Sequence, residues 1–180
     1  NDINGIDDNR LRRPTPIYWH QPEKIAHGEL QQWMIERFVA EPELENVHDR
    51  FGGRGPREAA PVAASQECGT PADWTKRIKD FALSNEADLV GIARIDPLWV
   101  FEGYELTAPW IVILGFSMDH TRLSTAPANP AGLEVQAQYN RGARAARALA
   151  DWIRARGFSA DSHAGPWAGP LTLIPAALAA

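Results

Sequence analysis

A layered domain of helices packed on strands is the fold class that residues 70–180 predict, and three observations carry it. Two short apolar runs, at 88–95 and 110–116 (WIVILGF), read as buried strands. Helical periodicity surrounds them, with apolar residues three and four apart. Proline, glycine and capping residues mark the joints, as at Thr70-Pro71, Asn129-Pro130 and Gly157. The resulting order is helix–strand–strand–helix–strand–helix, an α/β (α+β layered) arrangement.

The preceding residues, 1–69, form a region of their own. Residues 1–22 lack periodicity and contain Pro14, Pro16 and Pro22, which predicts an extended arm. Ile17, Tyr18 and Trp19 are expected to anchor it on another surface. A helix is predicted at 28–40, where Leu30, Trp33, Met34 and Phe38 share one face, with Pro42 ending it. Residues 41–69 read as a long irregular linker. Its FGGRG stretch (51–55) lacks both the Lys-Ser/Thr ending of a P-loop and a strand before it.

From residue 70 each element has a reason. Thr70 caps a helix over 70–84, Pro71 takes its first position, and Asp73 completes a capping-box pattern. Trp74, Ile78, Phe81 and Ala82 form its apolar face. In the strand 88–95, Leu89, Val90, Ile92 and Ile95 give a two-sided apolar run, suited to a sheet covered on both faces. Asp96-Pro97 starts a short helix, and 110–116 is the most apolar strand, expected at the centre of the sheet. Asn129-Pro130 opens the longest helix, 131–156. Tyr139, Gly142, Ala146, Leu149 and Ile153 are expected on its buried side and Arg141, Arg144 and Asp151 on the other. Gly157 stops it. A third strand is predicted at 158–162, and after the turn 163–170 comes an alanine-rich helix. That helix has no capping residue before Ala180, so it is expected to run on.

Composition narrows the function classes. The chain has 180 residues, 44% of them apolar, enough for one domain with a real core. A net charge of −5 without basic runs argues against nucleic acid as a partner. No apolar run reaches the roughly 18–20 residues of a membrane span. Cys68, the only cysteine, cannot build a disulfide, a cysteine zinc site or an iron–sulfur cluster alone. The compartment stays open between a favoured cytoplasmic protein and an exported mature form, since the chain begins at Asn1.

Most catalytic patterns are missing. The histidines (His20, His27, His48, His120, His163) do not pair at ligand spacing, apart from the adjacent Asp119-His120, so no metal site is expected. Ser117, Asp119 and His120 do not form a nucleophile elbow of the G-x-S-x-G type. No G-x-G-x-x-G fingerprint is present. Arg141, Arg144 and Arg147 read first as a solvated, ion-paired helix face and second as an anion site. Two loops remain, 117–127 and 162–170, each expected after the carboxyl end of a strand, where α/β sheets bind ligands. Met118, His120, His163 and Trp167 are their side chains best able to touch one.

Four stretches also carry a family likeness. ADLVGIARIDPLWVF (87–101), WIVILGFSMDHTRLSTAP (110–127), YNRGARAARALADWIRARGFSA (139–160) and LIPAALAA (173–180) resemble, in order and spacing, corrinoid-dependent iron–sulfur reductive dehalogenases and their dehalogenase-like relatives. Epoxyqueuosine reductase is a more distant cousin. The resemblance covers roughly 70–180 and implies part of a nitroreductase-like corrinoid-binding core, preceded by the arm and helix. It implies cobalamin as cofactor, contacted from Met118, His120, His163, Gly165 and Trp167, and two [4Fe-4S] clusters held by residues outside this chain. The partners implied are the remainder of the same enzyme or another subunit, with a small-molecule substrate. No catalytic acid, base or nucleophile is expected within the chain. SHAGPWAGP (162–170) departs from the family's Gly-Asn-Asp type turn, leaving substrate and cofactor mode open. The alternative function is a non-catalytic binding or assembly subunit, to which the arm and linker would lend wrapping surfaces.

Overall fold

The structure, a computed structural model, describes residues 13–14, 36, 59–163 and 169–180. The arm residues Ile17, Tyr18 and Trp19, the FGGRG stretch, and Gly165 and Trp167 lie outside the described residues. So does the helix predicted at 28–40, except Glu36, which is helical. The elements are α1 (Pro71–Ser84), β1 (Leu89–Arg94), a 3-10 turn (Pro97–Trp99), β2 (Trp110–Gly115), α2 (His120–Leu123), α3 (Asn129–Arg154) and α4 (Leu173–Ala179).

Local chemistry sets the ends of α1. The Thr70 hydroxyl accepts the Asp73 N–H at 3.2 Å and the Asp73 carboxylate accepts the Thr70 N–H at 3.1 Å, the reciprocal box read from the sequence. At the end of α3, Gly157 has φ +84°, and a Cβ there would lie 2.3 Å from the Ser65 carbonyl oxygen. Only glycine meets both conditions.

β1 and β2 pair antiparallel, from Leu89↔Gly115 to Arg94↔Trp110. Strand alternation divides their side chains between two cores. Val90, Val112 and Leu114, with Phe116 beyond the strand, meet Ala82, Ala87 and Leu149, so α1 and α3 cover one face. Ile111 and Ile113, with Ile95, meet Val100, Leu171 and Ala176, so α4 and the 3-10 turn cover the other. The sheet is covered on both faces, as its two-sided apolar strands predict. Gly142 lets α3 approach closely, since a Cβ there would stand 3.3 Å from the Phe116 ring.

Four expectations need correction. Residues 158–162 are not a strand. Phe158 instead stacks edge-on against Trp74, centroids 5.0 Å apart, and the Ala160 carbonyl accepts from Arg154 Nε at 2.6 Å. Those contacts tie the segment to α1 and α3 rather than to a ladder. Among the described residues the sheet is therefore two-stranded, and β2 is an edge strand rather than a central one. Asn129 lies inside α3, with Ala128 as a cap that makes no side-chain bond. Tyr139, expected inside, is 42% exposed, while Gln136, Asn140 and Ala143 are buried. The single-stripe reading fails because α3 is enclosed on more than one side.

Part of that enclosure is the strap 59–69. Its Ala63 N–H donates to Arg154 O at 2.9 Å and its Glu67 N–H to Arg156 O at 3.1 Å. Glu67 also pairs with Arg77, and the Arg156 guanidinium lies 3.7 Å over the Trp152 ring. The arm is fastened too. Arg13 donates to the carbonyls of Val100, Phe101 and Tyr104, and Pro14 accepts from Glu102 N–H at 2.8 Å.

Candidate functional site

The loop after β2 is built around two carboxylates. Asp88, just before β1, accepts the Ser117 N–H at 2.8 Å and the Ser117 hydroxyl at 2.7 Å through one oxygen. Arg141 on α3 grips both oxygens of the same carboxylate, each at 2.9 Å. Next to it Glu86 takes a two-pronged bond from Arg144, at 2.8 and 2.7 Å. These partners hold the Asp88 carboxyl far below the usual carboxylate range, Arg141 first and Ser117 second, and Arg144 lowers Glu86 likewise. Both groups are fixed anions, suited to clamping and not to donating protons.

The second carboxylate, Glu134 on α3, is 4% exposed. It accepts the Asp119 N–H at 2.9 Å and the Gln138 amide at 2.8 Å, with Arg122 at 3.6 Å. Asp119 in turn caps α2 by accepting the Arg122 N–H at 3.0 Å. Residues 117–119 are thus pinned at both ends, to Asp88 and to Glu134. The pinned loop presents Met118, 41% exposed, and His120, exposed in the first turn of α2. Neither side chain makes a hydrogen bond among the described residues. Ser117 donates its hydroxyl to Asp88 and not to His120, which leaves no hydrolytic triad here.

The second predicted loop is tied elsewhere. The Phe101 N–H donates to Pro170 O at 2.8 Å, Val100 bridges to Leu171, and the Thr172 N–H donates to Trp99 O at 2.8 Å. Those anchors follow the Arg94 end of β1, whereas Ser117 is held at the Leu89 end. Antiparallel pairing puts the carboxyl ends of β1 and β2 at opposite ends of the sheet, so the two loops are fastened apart. His163 is exposed beside Gly169, where an added Cβ would lie 3.0 Å from the His163 Cβ. Gly169 lines a mostly apolar groove of ≈ 570 Å³, with Pro14, Leu98, Phe101, Leu171 and Ile174 among its walls. Gly165 and Trp167 lie outside the described residues.

Sequence reasoning missed this groove; it read Arg141 and Arg144 as an ion-paired helix face, as the two clamps are, but did not name their partners. A signal for the clamps was present: Arg141 and Arg144 sit three apart on one helix, and Glu86 and Asp88 flank a strand start, so two pairs match. Nothing in the sequence marks the groove, which depends on how residues near 14, 100 and 172 meet. Met118 and His120 are exposed near the Leu89 end of the sheet and His163 beside Gly169, on the segment fastened beyond the Arg94 end, so the structure does not bring these predicted residues together. Among the described residues no group of three or more His, Cys, Asp or Glu side chains could hold a metal ion. Among the described residues no helix is long and apolar enough to cross a membrane.

Comparison with protein-family models gives no match, and no curated protein matches the chain.

Proposed function

We infer that this chain is the scaffold and pocket-wall portion of a corrinoid-dependent, iron–sulfur, reductive-dehalogenase-like oxidoreductase. The observation that carries the reading is the ordered likeness of the four stretches 87–101, 110–127, 139–160 and 173–180. Its support is that these stretches supply, in turn, β1 with the 3-10 turn, β2 with α2, most of α3, and α4. They meet across one sheet, and its covered faces suit a nitroreductase-like core.

Bound cobalamin would supply the electron chemistry, with position and electrostatics left to the protein. Here Met118 and His120 would contribute from the pinned loop and His163 from beside the apolar groove. Gly165 and Trp167 belong to the same proposal by position in the turn. Two [4Fe-4S] clusters would be held by the rest of the enzyme, a partner of this chain, together with a small-molecule substrate.

The assembly-subunit alternative drew on the arm and linker as wrapping surfaces. Where described, both are engaged in cis: Arg13 holds residues 100–104, and the strap 59–69 holds α3. That favours the enzyme reading. The decisive measurement is the visible spectrum of the native assembly purified from its source. A corrinoid band together with a broad iron–sulfur shoulder is expected; a colourless assembly sinks the reading.

A further inference from the structure

One short turn gathers main-chain acceptors around Arg13. The 3-10 turn Pro97–Trp99 ends at Val100, and residues 101–104 then reverse the chain, closed by the Tyr104 N–H donating to Phe101 O at 3.1 Å. Gly103 takes φ +84°, the left-handed conformation that such a reversal needs and that glycine adopts without steric cost. Carbonyls in the last turn of a helix lack intrahelical partners. Here the carbonyls of Val100, Phe101 and Tyr104 converge on one guanidinium: Arg13 donates through Nε to Val100 at 2.9 Å and through one Nη to the other two. A planar fork of N–H donors can span such a cradle, and the compact ammonium of a lysine cannot.

The same turn carries the groove. The Glu102 N–H donates to Pro14 O at 2.8 Å, which seats the residue after Arg13. From the other side the Phe101 N–H donates to Pro170 O and the Thr172 N–H to Trp99 O, both at 2.8 Å, and Val100 bridges to Leu171. Pro14, Phe101, Leu171 and Thr172 all lie on the groove's walls. Arg13 therefore grips the residues on which the segment 170–172 hangs. Its side chain is exposed and held by hydrogen bonds rather than by burial. Exposed bonds of this kind exchange with water at little net cost, so the seat can empty and refill.

We propose that the turn 100–104 is a guanidinium receptor and Arg13 its built-in ligand, a displaceable latch that holds the segment 170–172 and so the wall of the groove. The latch goes beyond the oxidoreductase reading and does not rest on it. By linkage, an occupant of the groove that touches Pro14 favours the seated latch, and unseating the latch weakens that occupant by the same factor. Access to the groove is thereby tied to a residue far away in sequence.

Residue-resolved hydrogen–deuterium exchange tests this on the 180-residue chain and on its Arg13→Ala and Arg13→Lys variants. In both variants the amides of Phe101, Glu102 and Thr172 should exchange about 10-fold faster or more. The amides of Ser117 and Asp119, bonded to Asp88 and Glu134 near the Leu89 end of the sheet, should keep their parent rates. An excess of the synthetic peptide NRLRRPTP, the sequence of residues 9–16, should restore the three protections in the Arg13→Ala chain. The same peptide carrying Arg13→Ala should not. Unchanged exchange of Phe101 and Thr172 in the Arg13→Ala chain overturns the latch. Equal acceleration at Ser117 and Asp119 overturns it too, since Arg13 would then brace the whole fold. Parent rates in Arg13→Lys, or a failed or arginine-independent rescue, overturn the guanidinium receptor. No corrinoid is read in these samples, so either result leaves the functional reading to its own spectrum.

Discussion

Asp88 fastens the end of β2 to α3 through both Ser117 donors and both Arg141 prongs, and it accepts all of them best as an anion. Its folded-state pKa is depressed below the ordinary 3.8, mainly by Arg141 and then by Ser117. A depressed carboxyl stabilises the fold at pH values above its unfolded pKa and loses that contribution as pH falls toward the folded one. Stability should therefore hold from pH 7 to about 5 and decline below about 4, the unfolded range for aspartate. Asp88→Asn should be less stable at pH 7 and show a shallower decline in acid. Urea midpoints of both proteins at pH 7, 5 and 3 check this. Parallel curves for the two would mean that Asp88 is not the group responsible.

At the scale of elements, α3 is the least conventional piece. Its sheet side is small and apolar, with Gly142 against Phe116 and Leu149 in the core. Away from that side it buries Gln136, whose amide nitrogen and oxygen have no hydrogen-bond partner among the described residues. An unmet buried amide costs about 1–3 kcal/mol, and an apolar group of similar shape removes the cost. Gln136→Met should raise stability by roughly 1 kcal/mol or more, read from chemical denaturation. A loss of stability instead would show that something satisfies the amide in solution.

This helix also shows what the sequence could reveal. Its length and its Gly157 stop were legible, because periodicity and left-handed geometry are local. Tyr139 was misjudged because burial on a second side depends on segments distant in the chain. The same contrast separates the strands, legible from their apolar runs, from the supposed strand at 158–162. Phe158 looks like a strand residue, yet its ring is engaged by Trp74 and the Ala160 carbonyl by Arg154. In the candidate site, the types Met118, His120 and His163 could be picked out as loop side chains. Their separation along the sheet could not, since it follows from antiparallel pairing.

At the largest scale, the two-stranded sheet of the described residues is shared by two apolar clusters. Leu149, 5% exposed, belongs to the cluster under α1 and α3, and Leu171, 6% exposed, to the cluster under α4. A sheet common to both makes it hard for either to melt alone, because losing one cluster bares a face of the strands that the other needs. Truncation of each leucine to alanine should cost about 2–5 kcal/mol. The two residues share no partners, so the double variant should lose close to the sum, within about 0.5 kcal/mol. Each variant should still unfold in a single transition with fluorescence and circular dichroism midpoints coinciding. If Leu171→Ala instead produces an early transition while the cluster around Leu149 persists, the α4 side is a separate unit, and the sheet does not couple the faces.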